Sequence, residues 1–398
     1  MLKRVLRHIF RPAKAFVRSF LLENGKPRNV LMLLVLLATT WLMSDIYHFN
    51  TLREIPIAVL DFDQSSLSRT IVRALDASTM ISVGATPPVS ISEAKRAMIK
   101  GEIAAVVLIP SDLSASLKSN RQAAVTVASD MSNILVGRNA TNAISSVLGT
   151  VSAGVRINFI EKLGERKERA LARAVPMVSE DNFLFNAAKS YAGYLVPGLM
   201  IFFAYVYLTL QLLRVVRSSD TAVEKTAAFM GVILHGMILG LFLLYVYLPN
   251  QGLRVHSDMG RVAGLLLTGF SVLTLMIIAL RTVLRQDVLV MQISVLFAML
   301  SLMLSGITWP TDMFPPLLRQ ASQLLPFTPM AHGLRILVHF PAHSGDLSSV
   351  YHLFFEQGCL FIAVILVGAA FRGLFRTLKR LSETNPDAGG ACEIGGEA

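Results

Sequence analysis

The chain has 398 residues, of which 53% are hydrophobic and only 16% are charged, with a formal net charge of +11. Soluble domains carry about 25% charged residues, so this composition argues against a soluble enzyme. The excess of Lys and Arg does not indicate nucleic-acid binding, because no aromatic–basic motif or zinc-ligand spacing accompanies it. Basic residues that flank membrane helices and meet anionic lipid headgroups explain the charge.

The first 28 residues predict a helix that lies in the membrane interface. Apolar residues recur at helical spacing from Val5 to Leu21, and cations from Lys3 to Arg18 fill the opposite face. This pattern places apolar side chains at the acyl boundary and cations among the headgroups, and Pro12 is expected to kink the helix. The segment is too long and too basic for an ordinary signal peptide. The alternative is a basic anchor that forms no such helix.

Six apolar runs approach the ~20 residues that a helix needs to cross a bilayer. The first, residues 29–46, stands alone and contains the run Val30–Ile46. A stretch of soluble character covers residues 47–190. The other five runs crowd into residues 191–371 and are Tyr191–Leu213, Ala227–Leu248, Ala263–Leu280, Val288–Ile307 and Tyr351–Phe371. We therefore predict an α-helical membrane protein with six transmembrane helices and one inserted domain.

Loop charges predict the orientation of these spans. Basic residues lie between the second and third spans, between the fourth and fifth, and after the sixth, whereas the loop Pro249–Gly260 offers only Arg254. Because basic loops stay in the cytoplasm, both termini are predicted to be cytoplasmic and the inserted domain extracytoplasmic. Residues 372–398 would form a cytoplasmic basic segment and a disordered tail.

The sequence of the inserted domain predicts a small α/β unit with an open, largely parallel sheet. Helical segments alternate with strand candidates at Ile55–Phe62, Met80–Val83, Ile103–Ile109 and Val125–Ala128. A long helical pattern follows from Asn133 to about Ala174. Three strand ends carry aspartates, where ligands often bind in such sheets, but turn and capping chemistry is the preferred interpretation for Asp61, Asp63 and Asp130.

The sequence lacks the common motifs of nucleotide hydrolysis, metal binding and covalent catalysis. The sequence has no GxxxxGK[ST] loop, so this chain is not expected to hydrolyse ATP, and no HExxH, CxxC or GxSxG motif occurs. His339 and His343 are four residues apart, but Pro341 between them disfavours a metal site. We therefore predict no catalytic residues, no metal and no cofactor in this chain.

Five segments together resemble the permeases of ABC type-2 exporters, in the branch with a large extracytoplasmic domain after the first transmembrane helix. In chain order they are IAVLDFDQSSLSRTIVRAL, ISEAKRAMIKGEIAAVVLIPSDLSASL, VTVASDMSN, YLVPGLM and SGITWPTDMFPPLLRQASQLLPFTPMAHGLRIL. The resemblance runs along nearly the whole chain. No single segment is diagnostic, but their combination in this order is specific.

The resemblance implies a permease subunit in a bacterial inner membrane. A separate cytoplasmic ABC ATPase would bind ATP and Mg, and a second permease copy or paralogue would complete the pore. The substrate would be amphiphilic or hydrophobic, and the extracytoplasmic domain would guide it outward or dock a periplasmic adaptor. The alternative function is a membrane receptor or docking protein that transports nothing. An ion-coupled transporter is less favoured because no inverted repeat is evident.

One set of candidate site residues follows from the segment RVVRSSDTAVEKTAAF, which corresponds to the family's contact with the ATPase. Arg217, Asp220, Thr221 and Glu224 are the candidate coupling residues, with Asp220 as the helix cap. The glycine usual in this family is missing, so the coupling surface is either specialised for one ATPase or has lost its role.

A second set lies around a proline-bounded hairpin near residues 308–340. The resemblance implies that this hairpin helps to close the outer end of the translocation path. Broken apolar helices at membrane depth are tolerated only against protein or a water-filled cavity. An interfacial loop with a purely structural role is the alternative. The candidate path and gate residues are Pro197, Gly198, Ser305, Gly306, Pro310, Pro326 and Arg335.

Overall fold

A computed structural model describes residues 2–21, 27–46, 52–84, 88–119, 121–164, 166, 168–169, 191–217, 221–251, 253–284, 286–340 and 346–384. The chain forms two compact units. The first comprises Met1–His48 and Leu184–Ala398, and the second comprises Phe49–Phe183.

The first unit is helical. Its helices are α1 (Leu2–Phe20), α2 (Pro27–Ile46), α7 (Tyr191–Arg217), α8 (Ala222–Phe242), α9 (Met259–Leu284), α10 (Asp287–Leu304), α11 (Pro316–Gln323), α12 (Phe327–His339) and α13 (Ser348–Thr384). Helix α8 continues into a π-helical turn, Leu243–Tyr247, and a 3-10 turn, Leu248–Gln251.

The second unit contains the sheet. Its strands are β1 (Ile55–Asp61), β2 (Ile81–Val83), β3 (Ala105–Ile109) and β4 (Thr126–Ser129), and its helices are α3 (Ser66–Asp76), α4 (Ile91–Ile99), α5 (Leu113–Lys118) and α6 (Ile134–Lys162).

The fold-class prediction is confirmed, since the described chain is mostly helical with a small sheet and contains six helices long and apolar enough to cross a membrane. Five of the six match the predicted second to sixth spans. The remaining one is α6, which sequence analysis treated as part of the inserted domain. The predicted first span, α2, is about 30 Å long, and its continuous apolar part is Asn29–Met43.

Helix α7 forms the centre of the first unit. It packs against α2, α8, α9, α10 and α12, and two thirds of its apolar window is buried. Its Tyr205 is fully buried, and the ring of Phe327 from α12 lies 5.3 Å away, between centroids. By contrast, α13 buries only 11% of its apolar window, so most of its surface is available to lipid or to a partner.

Helix α1 packs against α8 by a close approach of the two backbones. Small residues Ala15 and Ser19, one turn apart, are buried on this contact. A Cβ atom at Gly231 would lie 2.6 Å from the carbonyl oxygen of Phe16, so the contact requires glycine. Small residues allow this approach between membrane helices. The helix continues through Pro12, and its position in the membrane interface stays a prediction.

The sheet of the second unit has the order β2–β1–β3–β4. Strand β1 pairs in parallel with both β2 and β3, whereas β4 is antiparallel to β3. One face is covered by α3, α5 and the first half of α6, which contribute Leu75, Leu113 and Ile144 to the core. The other face holds a smaller cluster with Ala94 of α4. The largely parallel α/β arrangement expected from the sequence is therefore observed, with one antiparallel edge.

Helix α6 is shorter than the helical pattern that extends to about Ala174. It ends at Lys162, followed by Gly164 with a φ of +90°, a conformation that favours glycine. Residues 170–190 lie outside the described part of the chain.

The aspartates at the strand ends serve as turn and cap acceptors. Asp61 accepts hydrogen bonds from the Asp63 and Gln64 amides and from the Ser68 hydroxyl, the last at 2.6 Å. Hydrogen bonds from Ser132 hold the pKa of Asp130 below its usual value. Within the described residues, no group of three or more His, Cys, Asp or Glu side chains could hold a metal ion. Asp63 accepts from the Ser114 amide at the start of α5 at 3.2 Å, so the contacts favour the turn and capping interpretation of all three aspartates.

Candidate functional site

The chain reverses direction after α10 at a glycine with left-handed backbone. Helix α10 ends at Leu304, three residues before the predicted end of the fifth span, because Gly306 has a φ of +85°. Ser305 is buried, and its hydroxyl donates to the carbonyl oxygen of Leu302 at 2.9 Å. This turn presents the carbonyl oxygen of Gly306 to neighbouring helices.

Two side chains converge on that carbonyl oxygen. Arg335 of α12 donates from Nη2 at 2.6 Å, and the Tyr194 hydroxyl of α7 donates at 3.0 Å. The guanidinium carbon of Arg335 also lies 5.1 Å from the centre of the Tyr194 ring, a cation–π geometry. We call Tyr194, Gly306 and Arg335 the Gly306 cluster. It ties the turn after α10 to α7 and α12.

Gly198 extends this contact along α7. A Cβ atom at Gly198 would lie 2.7 Å from Cδ1 of Ile307, so the absence of a side chain admits Ile307 against α7. Pro197 is buried inside α7, one turn after Tyr194. Four predicted residues, Ser305, Gly306, Arg335 and Gly198, therefore lie around one turn, with Pro197 beside them.

The other two predicted prolines shape the hairpin and stand apart from the cluster. Pro310 precedes the 3-10 turn Thr311–Met313, and Pro326 precedes α12. The hairpin itself consists of an exposed α11 and a buried α12. Phe327, the first residue of α12, packs edge-on against Phe202 of α7 at 5.4 Å between ring centroids. The two prolines thus set where the short helices begin.

A polar cavity of about 370 Å³ lies beside the cluster, among α11, α12 and α13. Arg319 and Arg335 line it together with Asp312 and Glu356. The Thr328 hydroxyl, buried in the wall, has no hydrogen-bond partner among the described residues. The cavity is therefore polar, with both signs of charge.

The opposite end of the bundle carries the predicted coupling residues. Arg217, the last residue of α7, lies 3.6 Å from the Asp287 carboxylate at the start of α10. Arg281 of α9 approaches the same carboxylate at 2.9 Å. Asp287 therefore joins three helices at this end, although Arg217 is half exposed and such pairs contribute little stability.

Thr221 and Glu224 begin α8 as a capping box. The Thr221 hydroxyl accepts from the Glu224 amide at 3.3 Å, and the Glu224 carboxylate accepts from the Thr221 amide at 2.9 Å. The prediction that Asp220 caps this helix is wrong, because the helix begins at Ala222 and the threonine before it satisfies the free amides. Asp220 itself lies outside the described residues.

Sequence reasoning missed two residues of these sites. Tyr194 begins the YLVPGLM segment and lies one helical turn before Pro197, so its position on the face of Pro197 was visible in the sequence. Asp287 follows Arg281 and Arg285, and a lone acidic residue after two arginines was the available signal.

The chain was compared with known protein families, curated proteins and solved structures. The model of the ABC-2 family transporter proteins matches residues 30–371. No curated protein and no solved structure matches. The match spans both units, including the Gly306 cluster and the capped start of α8. Membership implies a multi-pass membrane transport component that works with an ABC ATPase and typically forms a dimer. The chain therefore belongs to the ABC-2 transporter family, as a permease subunit of an ABC transporter.

Proposed function

We propose that this permease subunit belongs to an ATP-driven exporter of an amphiphilic or hydrophobic substrate, taken from the cytoplasm or the inner leaflet. The family match over residues 30–371 carries the proposal. The ATPase partner would bind ATP and Mg, and a second permease copy or paralogue would complete the pore.

ATP-driven export requires that a movement caused by the ATPase at one end of the bundle reaches the other end. Two long helices support such transmission because they are joined at both ends. Helices α7 and α10 meet through Tyr194 and Gly306 at one end and through Arg217 and Asp287 at the other. A 27-residue helix is about 40 Å long. A displacement at the Arg217 end would therefore reach the Gly306 cluster through packed helices. Binding of an ATPase can shift the cluster only if the two states differ in such contacts.

The start of α8 is the proposed docking point for the ATPase. Its capping box fixes the first turn, and Val223 within that turn is 63% exposed. An exposed apolar side chain on a rigid turn is suited to insertion into a partner's groove. Thr221 and Glu224 then act by holding this turn, and Arg217 by holding the end of α7.

We further propose that this end of the bundle faces the cytoplasm in a bacterial inner membrane, with both termini on that side. Arg214, Arg217, Lys225, Arg281 and Arg372 lie at this end, and basic loops are retained in the cytoplasm. Unit Phe49–Phe183 would then be extracytoplasmic and would guide substrate or dock a periplasmic adaptor.

The test is purification of the tagged chain from its native membrane in mild detergent, with assay of co-purifying ATPase activity. The variant Val223→Asp should lose the ATPase, since a buried unpaired charge at an interface is costly. Met259→Asp, an exposed methionine at the opposite end of the bundle, is the matched control and should retain it. A preparation of wild type without any ATPase would contradict the proposal and favour a receptor or docking role.

Orientation is tested by labelling with a membrane-impermeant maleimide on intact cells, after replacing Cys359 and Cys392 by Ser. Val89→Cys, 86% exposed in the second unit, should react from outside. Val223→Cys should react only after the membrane is opened. The reverse pattern would overturn the proposed topology.

A further inference from the structure

A cationic cavity lies at one end of the bundle, among α7, α8, α9 and α13. Its volume is about 420 Å³, and Lys225, Arg281 and Arg372 line it. None of the described residues in its wall is acidic. Arg281 is paired with Asp287, but no carboxylate in the described wall offsets Lys225 and Arg372, so an anion bound there would be stabilised.

Lys225 and Arg372 each donate one hydrogen bond to a backbone carbonyl oxygen and keep further donors. Lys225 donates to the carbonyl oxygen of Val216 at 3.2 Å, which uses one of its three N–H groups. Arg372 donates from Nε to the carbonyl oxygen of Gly368 at 3.1 Å, a bond that does not involve its terminal nitrogens. Arg281 contacts Asp287, which lies outside the wall of the cavity. Guanidinium groups with such geometry bind phosphate oxygens well.

An apolar groove continues from this cavity along an exposed side of α9 and α13. Its volume is about 530 Å³, and Val283, Val364 and Phe371 are among its lining residues. Thr282 and Arg372 line both the cavity and the groove, so the two are contiguous. The two helices are in close contact at the groove, because Gly368 packs directly on Thr282, where a Cβ atom would lie 2.5 Å from Cγ2.

The cationic cavity and the apolar groove thus meet at Arg372. A ligand that fills both would have its polar end on one side of Arg372 and its apolar part on the other. A free phosphate would fill only the cavity and would leave Val364 and Phe371 uncovered. A neutral hydrocarbon would fill only the groove. A phospholipid with a net negative headgroup matches both, because Lys and Arg attract such lipids at the membrane surface.

We propose that the cationic cavity and the adjoining groove form a binding site for one anionic phospholipid. Its phosphate contacts Lys225 and Arg372, and one acyl chain lies along α9 and α13 beside Val364. The lipid is a resident ligand at the membrane surface of the permease, and the inference does not depend on the direction of transport or on the substrate.

The experiment is native mass spectrometry of the delipidated full-length protein, titrated with dioleoyl phosphatidylglycerol or dioleoyl phosphatidylcholine. Wild type should bind one phosphatidylglycerol in preference to phosphatidylcholine. The double variant Lys225→Gln/Arg372→Gln should bind phosphatidylglycerol roughly thirtyfold more weakly than wild type. This factor follows from removing two cations, each with the binding free energy usual for a Lys or Arg near an anionic lipid surface. The control double variant Lys95→Gln/Arg254→Gln removes the same charge from exposed positions outside this site and should bind as wild type does.

The groove is tested separately with Ala363→Trp, an exposed position where the indole fills the groove without changing charge. This variant should also weaken phosphatidylglycerol binding, and glycerol phosphate should not displace the lipid from wild type. Equal losses in the two double variants would overturn the proposal, since the charge effect would then be general. Unchanged binding by Ala363→Trp, or displacement by glycerol phosphate, would overturn it too, because the site would then recognise phosphate alone.

Discussion

Arg335 donates a hydrogen bond to the carbonyl oxygen of Gly306 at 2.6 Å, although 29 residues separate them in the chain. This bond joins α12 to the turn that ends α10, and Tyr194 adds a second bond from α7. Three helices thus meet at a single backbone oxygen. A junction of this kind can hold three helices together and yet open by breaking few bonds.

Arg335→Lys is expected to destabilise the protein although it preserves the positive charge. An ammonium group cannot stack on the Tyr194 ring while donating with the geometry of the guanidinium. A hydrogen bond from a charged donor contributes about 1.5–3 kcal/mol, so a clear decrease in the thermal unfolding temperature in detergent is expected. Arg254→Lys, an exposed position in the α8–α9 connection, is the control and should change little. If the two variants had the same thermal unfolding temperature, the Gly306 cluster would not be a structural junction.

Gly306→Ala is expected to cost about 1–2 kcal/mol because an alanine at a φ of +85° is strained. The new Cβ atom would also lie 3.2 Å from Cγ2 of Thr311. Gly260→Ala is the matched control, since its Cβ atom would have open space at the start of α9, where alanine favours the helix. Thermal unfolding of both variants checks the prediction, and a Gly306→Ala protein as stable as the control would contradict it.

Gly231→Val is expected to separate α1 from α8. The added side chain would overlap the backbone of Phe16 and Phe20, which lie within 3 Å of the position of its Cβ atom. Limited trypsin digestion should then cleave within α1 faster, at Arg11 or Lys14. Gly358→Val, at a helical position with open space around it, should leave the cleavage rate unchanged. If both variants are cleaved as slowly as wild type, α1 is held by something other than this contact.

Thr221→Ala is expected to loosen the first turn of α8 by about 1 kcal/mol, the usual effect of removing an N-cap side chain. Hydrogen exchange of the amides of residues 222–225 should accelerate, because Glu224 loses its partner. Thr226→Ala removes a hydroxyl that bonds to Ala222 within the same helix, and it should have a smaller effect. Equal exchange in the two variants would contradict a capping role for Thr221.

Periodicity and hydropathy predicted the helices and strands well. Short, continuous apolar runs without alternation predicted buried strands, and Val59 of β1 and Val107 and Ile109 of β3 are indeed buried. The Gly306 cluster could be predicted only in part. Gly306 and Arg335 stand in the segment that resembles the family, but their pairing with Tyr194 depends on how α7 and α12 cross. Residue spacing does not encode that crossing, because each helix presents several apolar faces.

The same limit applies to α6. Its hydropathy is that of a membrane helix, yet Ala140 and Ile144 in its first half bury against the sheet of the second unit. Small and apolar residues suit both environments, so composition could not separate them. The prediction of the N-cap residue of α8 was wrong for a different reason. Asp220 and Thr221 are neighbours and both residue types are good N-caps, so the sequence could not distinguish them.

The contact between α1 and Gly231 constrains the order of events during synthesis. Helix α1 leaves the ribosome before α8, whose contact surface at Gly231 follows more than 200 residues later. At a translation rate of ~5–20 residues per second, α1 therefore waits ten seconds or more before it can dock. Its basic and amphipathic sequence is suited to that interval, since the membrane surface can hold it until α8 is inserted. Docking of α1 would then follow the synthesis of α8 and need not wait for α9 to α13.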